Sequence, residues 1–372
     1  MSTESGGRRA SGKSKRIRVG IVGCGEVAQI IHWHSLYQLP DYFEVTALCD
    51  ISQPVLEELS RIWNINNLTT DHRELVSRTD VDAVLVSNPN AYHAEVTLDA
   101  IAAGKHVLVE KPMCVTRREA EAIIAAQKRH GVCVQVGYMR RYAPAFIEAC
   151  AMVKGMGEIR LARVRDLIGF NSLIINSTSR VIRDEALGRE LKAEAKARED
   201  SLFEEALGAT ASESSKRAYS LMLGLSSHDI SAMRELLGMP SRVLFAAKRR
   251  GGIYLVATFD YGPFVCQFET GIDQIPRFDG HLEVYADTKV VRVQYDTPYV
   301  RNLPIRLFVS EASGRSGLRE TELHPAWGDP FVEEWKAFHN NIMQGNQPKS
   351  DPTDFAQDLE LFSDMVRCFR DE

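Results

Sequence analysis

The chain has 372 residues, 44% hydrophobic and 26% charged, with 45 Lys+Arg against 50 Asp+Glu and a net charge of −5. That length suits two or three domains whose cores need no disulfide staples, and the slight acidity excludes the basic footprint of a nucleic-acid binder. No apolar run reaches the roughly 18 residues of a helical membrane span, so a membrane partner is not expected.

The first segment, Met1–Arg16, carries Arg8, Arg9, Lys13, Lys15 and Arg16 against the single acid Glu4. It has too little apolar surface to order itself, so a disordered basic tail (1–16) is expected. It lacks the apolar stretch of a secretory signal.

From Ile17 onward, short apolar strands alternate with helical stretches. The strands are Ile17–Val22, Phe43–Cys49, Val81–Val86, His106–Val109 and Val132–Val136. The helices between them are Val27–Tyr37, Gln53–Trp63, Ala91–Ala103 and Arg117–His130. Such alternation predicts βαβ units, a parallel doubly wound sheet and right-handed crossovers. The first domain is expected over 17–143, ending near Tyr142-Ala143-Pro144.

Residues 144–372 read as a second, α+β domain. A helix (Ala145–Lys154) and a strand (Ile159–Leu167) precede a long interruption, Phe170–Ser220, which is rich in Ala, Glu, Lys and Arg. It predicts exposed helical pieces over about 170–220, with Phe203 and Tyr219 its only aromatics after Phe170. A helix, Leu221–Leu237, stops at Gly238 and Pro240. The strands Ile253–Phe259, Phe264–Phe268, His281–Tyr285 and Val290–Tyr295 follow on short turns, which predicts a largely antiparallel sheet. Phe331–Ile342 and Asp354–Phe369 are expected as closing helices.

The seven cysteines, Cys24, Cys49, Cys114, Cys133, Cys150, Cys266 and Cys368, show no Cys-x-x-Cys spacing. Reduced thiols in a cytoplasmic protein without a metal site are the expectation.

Gly23-Cys24-Gly25-Glu26-Val27-Ala28 fits Gly-x-Gly-x-x-Ala between a strand and a helix, the context a dinucleotide turn requires. Gly23 permits the tight turn, Gly25 lets the backbone approach a pyrophosphate, and Ala28 lets the helix pack on the strand. The helix N-terminus offers free N–H groups to the phosphates. This is the signature of a Rossmann domain. Asp50 ends the second strand, where an acid can accept hydrogen bonds from the adenosine ribose and repel a 2′-phosphate. Ile51 supplies no compensating charge, so NAD is expected rather than NADP. Asp50 also suits a helix cap, as does Ser52.

Glu110-Lys111-Pro112 follows directly on a strand. Together with Gly23-x-Gly25-x-x-Ala28, Asp50, Ser87-Asn88-Pro89-Asn90, His93 and Gly137-Tyr138-Met139-Arg140-Arg141-Tyr142, it makes the chain resemble the Gfo/Idh/MocA oxidoreductases. The resemblance is firm over Ile17–Ala145 and in outline beyond. It implies a C-terminal domain with a largely antiparallel, open-faced sheet, and a homodimer or homotetramer formed through it. It also implies that Lys111 is the catalytic lysine. A lysine at the carboxyl end of a parallel strand points into the ligand crevice, and partial burial lowers its proton affinity toward the working range. The expected cofactor-facing set is Gly23, Gly25, Glu26, Val27, Asp50, Ser87, Asn88, Asn90, His93, Glu110, Lys111 and Arg140.

Ser227-His228-Asp229 resembles the family segment whose His meets the substrate. Many members carry an Asp four residues earlier; here that residue is Gly224. The substrate-facing set is therefore Lys111, His228 and, in place of the Asp, Tyr138, Tyr142 or groups of the interruption such as Asn171, Asn176 and Arg180. The resemblance implies an NAD-dependent oxidoreductase acting on a secondary hydroxyl, or the matching ketone, of a sugar, cyclitol or glycoside. Two alternatives stand beside it: a same-fold enzyme that retains and recycles its NAD, and a non-catalytic sensor of NAD or sugar.

Overall fold

The computed structural model describes residues 16–370. The expected basic tail lies outside these residues except for Arg16, which pairs with Glu44 at 2.8 Å. The first sheet contains β1 (Ile17–Val22), β2 (Phe43–Cys49), β3 (Leu68–Thr69), β4 (Ala83–Val86), β5 (His106–Glu110) and β6 (Val134–Gly137). Its order is β3-β2-β1-β4-β5-β6, parallel throughout. β4 and β6 are buried at every position, as befits strands covered on both faces by crossover helices. The order reverses at β1, which has β2 on one side and β4 on the other, and a crevice opens there beyond the strand ends.

Local signals set the helix ends. The side chain of Ser52 accepts a hydrogen bond from the Val55 amide and caps Gln53–Trp63, with Pro54 in the first turn. Thr116 and Glu119 form a reciprocal capping box at the start of Arg117–His130, and Gly131, at φ 66°, ends that helix in the left-handed region. The helix after the glycine turn opens with a π-type turn, Ala28–His32, before Trp33–Tyr37.

The second sheet has nine strands in the order β14-β13-β12-β11-β7-β10-β9-β8-β15. These are β7 (Ile159–Gly169), β8 (Arg242–Arg249), β9 (Tyr254–Asp260), β10 (Val265–Asp273), β11 (Phe278–Ala286), β12 (Lys289–Tyr295), β13 (Arg306–Ser313), β14 (Gly317–Leu323) and β15 (Phe369–Arg370). The sheet is largely antiparallel, with β7–β10 and β8–β15 paired in parallel. Burial alternates along β7 and β9, so one face lies on the core and the other is uncovered.

One hydrophobic core joins the inner face of this sheet to the β5–β6 side of the first domain, through Phe146, Met233, Phe355 and Phe362. A second core gathers Ile17, Val19, Leu36 and Phe43 with Val332, Trp335 and Phe338. The late helix Pro330–Gln344 therefore packs on the first domain, although in sequence it lies among residues 144–372. Within the interruption, helices span Asn171–Thr178, Arg189–Leu207 and Glu213–Leu221. Its two aromatics do anchor it: Phe203 and Tyr219 are buried edge to face at 5.9 Å, and the Tyr219 hydroxyl donates to Val115 O at 2.8 Å. Among the described residues, no helix is long and apolar enough to cross a membrane.

Candidate active site

The loops after β1, β2, β4, β5 and β6 converge on the crevice. Gly23 takes φ +88°, and a Cβ there would lie 2.3 Å from the Asn88 amide nitrogen, so no other residue fits this crossing. A Cβ on Gly25 would meet nothing within 4 Å: the backbone there faces open space, as a pyrophosphate requires. The Asp50 carboxylate accepts from the Cys24 amide at 2.8 Å and the Ser52 amide at 2.9 Å. It thus locks the glycine turn and keeps further lone pairs for a ribose. Ser87 donates its hydroxyl to Gly23 O at 2.8 Å and ties the β4 loop to the same turn. The amide oxygen of Asn88 is buried without a hydrogen-bond partner among the described residues. A dinucleotide fits these residues: an open glycine turn, a placed acid and an unanswered amide at its edge.

A cavity of ≈ 190 Å³ opens beyond the turn. Val27, Ser87, Asn88, Asn90, His93, Glu110, Lys111, Arg140 and His228 all contribute to its wall, so most of the expected set does converge. Lys111, at the end of β5, is joined to Pro112 by a cis peptide. Its ammonium donates to the backbone carbonyl of Gly224 at 2.5 Å. That carbonyl lies in a π-type turn, Met222–Ser226, whose wider hydrogen-bond spacing loosens the helical ladder at this point. The position that lacks the family carboxylate thus offers the lysine a backbone oxygen instead. Burial pushes the Lys111 ammonium below its usual lysine range, and nearby Arg140 adds to the fall, against Glu110 and Asp166.

Behind Lys111 lies a buried relay. The Trp335 indole, which can only donate, gives its N–H to His32 Nδ1 at 3.1 Å. The ring proton is therefore on Nε2, which faces Glu110 Oε1 at 2.9 Å. The other Glu110 oxygen accepts the Lys111 amide N–H at 3.1 Å. Burial pushes the Glu110 carboxyl up, but the His32 hydrogen bond and the Lys111 charge outweigh it and hold it below the usual carboxylate range. His32 and Trp335 carry no short-range motif; a donor-only indole some 300 residues away in sequence gave no signal.

His228 faces the cavity from the Ser227–Leu237 helix, with Nδ1 buried and without a partner among the described residues. Burial, then the charges of Lys111 and Arg140, hold its imidazole well below the usual histidine range, so it is neutral. His93 is committed elsewhere: its Nδ1 and Nε2 lie 2.7 Å from Pro112 O and Asn88 O, linking the β4 and β5 loops, and burial lowers its proton affinity. Arg140 crosses to the second domain. Its guanidinium meets Asp229 and, at 3.0 Å, Asp166, and stands 4.9 Å from the centre of the Tyr295 ring. One guanidinium cannot neutralise two buried carboxylates, and burial with Asp166 alongside pushes the Asp229 carboxyl well up.

Two expected substrate contacts are corrected. Tyr138 is fully buried and gives its hydroxyl to Asp358 at 2.7 Å, and the Tyr142 hydroxyl pairs with Ser350 at 2.9 Å. Both rings point to the domain junction, where Arg141 beside them also bonds Asp354 at the start of the helix Pro352–Cys368. Glu26 faces outward and pairs with Arg183 at 2.7 Å rather than lining the cavity. Asn171 does line it and donates to the Tyr299 hydroxyl at 3.5 Å, whereas Asn176 and Arg180 are exposed. Tyr299 was not anticipated, since it lies on a loop with no periodic pattern to place it.

Comparison with known proteins agrees with this geometry. Residues 17–138 match the model of an oxidoreductase family with an NAD-binding Rossmann fold, Gfo/Idh/MocA. Residues 17–138 therefore carry the NAD-binding Rossmann domain of that oxidoreductase family. The uncharacterized oxidoreductase YrbE of Bacillus subtilis (strain 168) is 32% identical over 146 residues, which cover 39% of this chain and 42% of that protein. An inositol 2-dehydrogenase of Salmonella typhimurium (strain LT2) is 32% identical over 137 residues, 36% of this chain and 40% of that protein. The chain thus spans about two fifths of the length of these curated relatives. Over nearly the whole chain, the fold is that of KijD10, a 3-ketoreductase from Actinomadura kijaniata solved with NADP and TDP-benzene. The TM-score is 0.72 at 21% identity, covering 96% of this chain and 99% of that one. It is also that of a levoglucosan dehydrogenase solved with NADH and levoglucosan, with TM-score 0.73, 18% identity and coverage of 95% and 97%.

Proposed function

We propose that the protein is an NAD-dependent oxidoreductase that interconverts a secondary hydroxyl and its ketone on a sugar, cyclitol or glycoside, with Lys111 as acid/base. The observation that carries this reading is the placement of Lys111, its Nζ at the cavity, 2.5 Å from the Gly224 carbonyl, with neutral His228 lining the same space. A dinucleotide held by the Gly23–Gly25 turn and Asp50 would supply the hydride chemistry of such a reaction. The residues handle the proton. In its neutral form, Lys111 takes the hydroxyl proton in oxidation, and in its charged form it gives one to the ketone oxygen in reduction. The Gly224 carbonyl orients Nζ, and the Trp335–His32–Glu110 relay holds the lysine backbone. His228 offers its ring to a substrate hydroxyl.

Asp50 supports NAD over NADP: its carboxylate caps the glycine turn where a ribose would sit, and Ile51 beside it carries no charge. The substrate class rests on relatives named inositol 2-dehydrogenase and neighbours named 3-ketoreductase and levoglucosan dehydrogenase. Assembly as a homodimer or homotetramer through the uncovered sheet face belongs to the same reading. Retention of NAD between turnovers is a second reading, which the position of the 171–221 insertion favours.

The test is Lys111→Met with a panel of sugars, inositols and glycosides and NAD or NADP. NADH binding persists and turnover falls at least about 100-fold. Turnover at the parent rate would remove Lys111 from the chemistry.

A further inference from the structure

The insertion leaves the second domain after β7 and returns to it at the Ser227–Leu237 helix, yet its middle lies on the first domain. Ile182 and Gln29 exchange two hydrogen bonds: the Ile182 amide donates to Gln29 Oε1, and Gln29 Nε2 donates to Ile182 O, both at 2.9 Å. Arg183 pairs with Glu26 at 2.7 Å, and Ser52 donates its hydroxyl to Asp184 at 2.7 Å. Glu26 and Gln29 flank the start of the glycine-turn helix, and Ser52 stands two residues beyond Asp50. Residues 182–184 therefore run from the pyrophosphate position to the adenosine end.

The next helix, Arg189–Leu207, closes a second cavity of ≈ 380 Å³. Gly23, Asp50, Ile51 and Asn88 form its inner wall; Leu191, Ala195 and Arg198 form its outer wall. Arg198 stands 4.3 Å from the centre of the Tyr92 ring and pairs with Glu95 at 2.7 Å, which fixes the helix over the cavity. Asn88 borders both cavities, so the space at Lys111 and the space at Asp50 meet at its buried oxygen, which has no partner among the described residues. A dinucleotide laid over Gly23–Val27 fills both, its nicotinamide toward Lys111 and its adenosine toward Asp50.

We propose that the 171–221 insertion is the outer wall of the dinucleotide site. The adenosine half packs between Ile51 and the Arg189–Leu207 helix, and the pyrophosphate is enclosed beneath Ile182–Asp184. The dinucleotide then exchanges only when this strap lifts, so its release is slow. The inference rests on the dinucleotide reading above.

Stopped-flow fluorescence tests it on the full chain. Protein loaded with NADH is chased with excess NAD, for the parent and for the Arg183→Ala/Asp184→Ala double variant. Loss of one ion pair and one hydrogen bond raises the NADH dissociation rate about tenfold in the variant. In parallel, ADP-ribose protects the parent from trypsin at Arg183, Arg189 and Lys192. Equal dissociation rates, or cleavage at those sites unchanged by ADP-ribose, overturn the enclosure while leaving NADH binding intact. A parent chain that binds neither NADH nor ADP-ribose overturns the dinucleotide reading and the strap with it.

Discussion

The ammonium of Lys111 donates to the backbone carbonyl of Gly224, 113 residues away in sequence, at 2.5 Å. A carbonyl accepts this bond without a charge, so nothing at position 224 holds the lysine proton as a carboxylate would. Burial and Arg140 are then free to keep Lys111 below its usual range, against Glu110 and Asp166. On the proposed reading, glycine at 224 leaves the effect of burial on Lys111 unopposed by a carboxylate at that position.

Gly224→Asp tests this directly. A Cβ at Gly224 meets nothing within 4 Å, and the residue lines the cavity, so the new carboxylate is accommodated near Lys111. An opposite charge favours the ammonium form and raises the lysine pKa. Oxidation needs the neutral amine, so the rising limb of the pH–rate profile moves to higher pH. At a fixed pH below that limb, turnover falls roughly tenfold for each unit of displacement. A profile that overlays the parent's would show that Lys111 does not set the limb.

Asp50→Asn addresses the choice between cofactors. On the proposed reading, the substitution removes the charge that would meet ribose hydroxyls and repel a 2′-phosphate. NADH binding weakens by about tenfold or more, the scale of a charge-assisted hydrogen bond, while NADPH binding changes less or improves. The ratio of the two dissociation constants, by fluorescence titration, is the readout. Asp50 also holds the Cys24 and Ser52 amides, and loosening the turn weakens both cofactors together without moving that ratio.

The first domain was largely legible because its information is local: apolar runs, helix caps and Gly23–Ala28 each declare themselves within a few residues. β3 was not, since two residues carry no alternation. β8, β13 and β14 were missed for a related reason. They sit at or near the sheet edges, and in β14 Arg319, Glu320 and Glu322 stand exposed or half-exposed where an inner strand would show buried alternation. At the site, Lys111, His228 and the glycine turn came from motifs. Tyr138 and Tyr142 were placed wrongly because a motif gives adjacency in sequence, while their rings turn toward partners more than 200 residues away. The Trp335–His32–Glu110 relay and the strap contacts Gln29–Ile182 and Ser52–Asp184 are also long-range, and no local pattern announces them.

Glu334 sits at the same domain junction and carries a stability prediction. It is fully buried on the Pro330–Gln344 helix, and among the described residues neither carboxyl oxygen has a hydrogen-bond partner. Burial, then the nearby negative charges of Glu110 and Asp329, push its carboxyl well above the usual range. The folded chain therefore keeps a proton that the unfolded chain releases once pH passes the ordinary carboxyl value. With more protons bound in the folded state, stability falls as pH rises, by up to about 1.4 kcal/mol per pH unit, until the folded-state group itself ionises. Glu334→Met keeps an unbranched chain of similar length and removes both orphaned oxygens. The variant is about 1–3 kcal/mol more stable at neutral pH. Its advantage, read from urea midpoints across pH 4 to 8 (about the span from ordinary carboxyl to neutral), shrinks toward the acid end, where the parent carboxyl is protonated in both states. A constant advantage across that range would mean that Glu334 already carries its charge in the fold, and that some group compensates it.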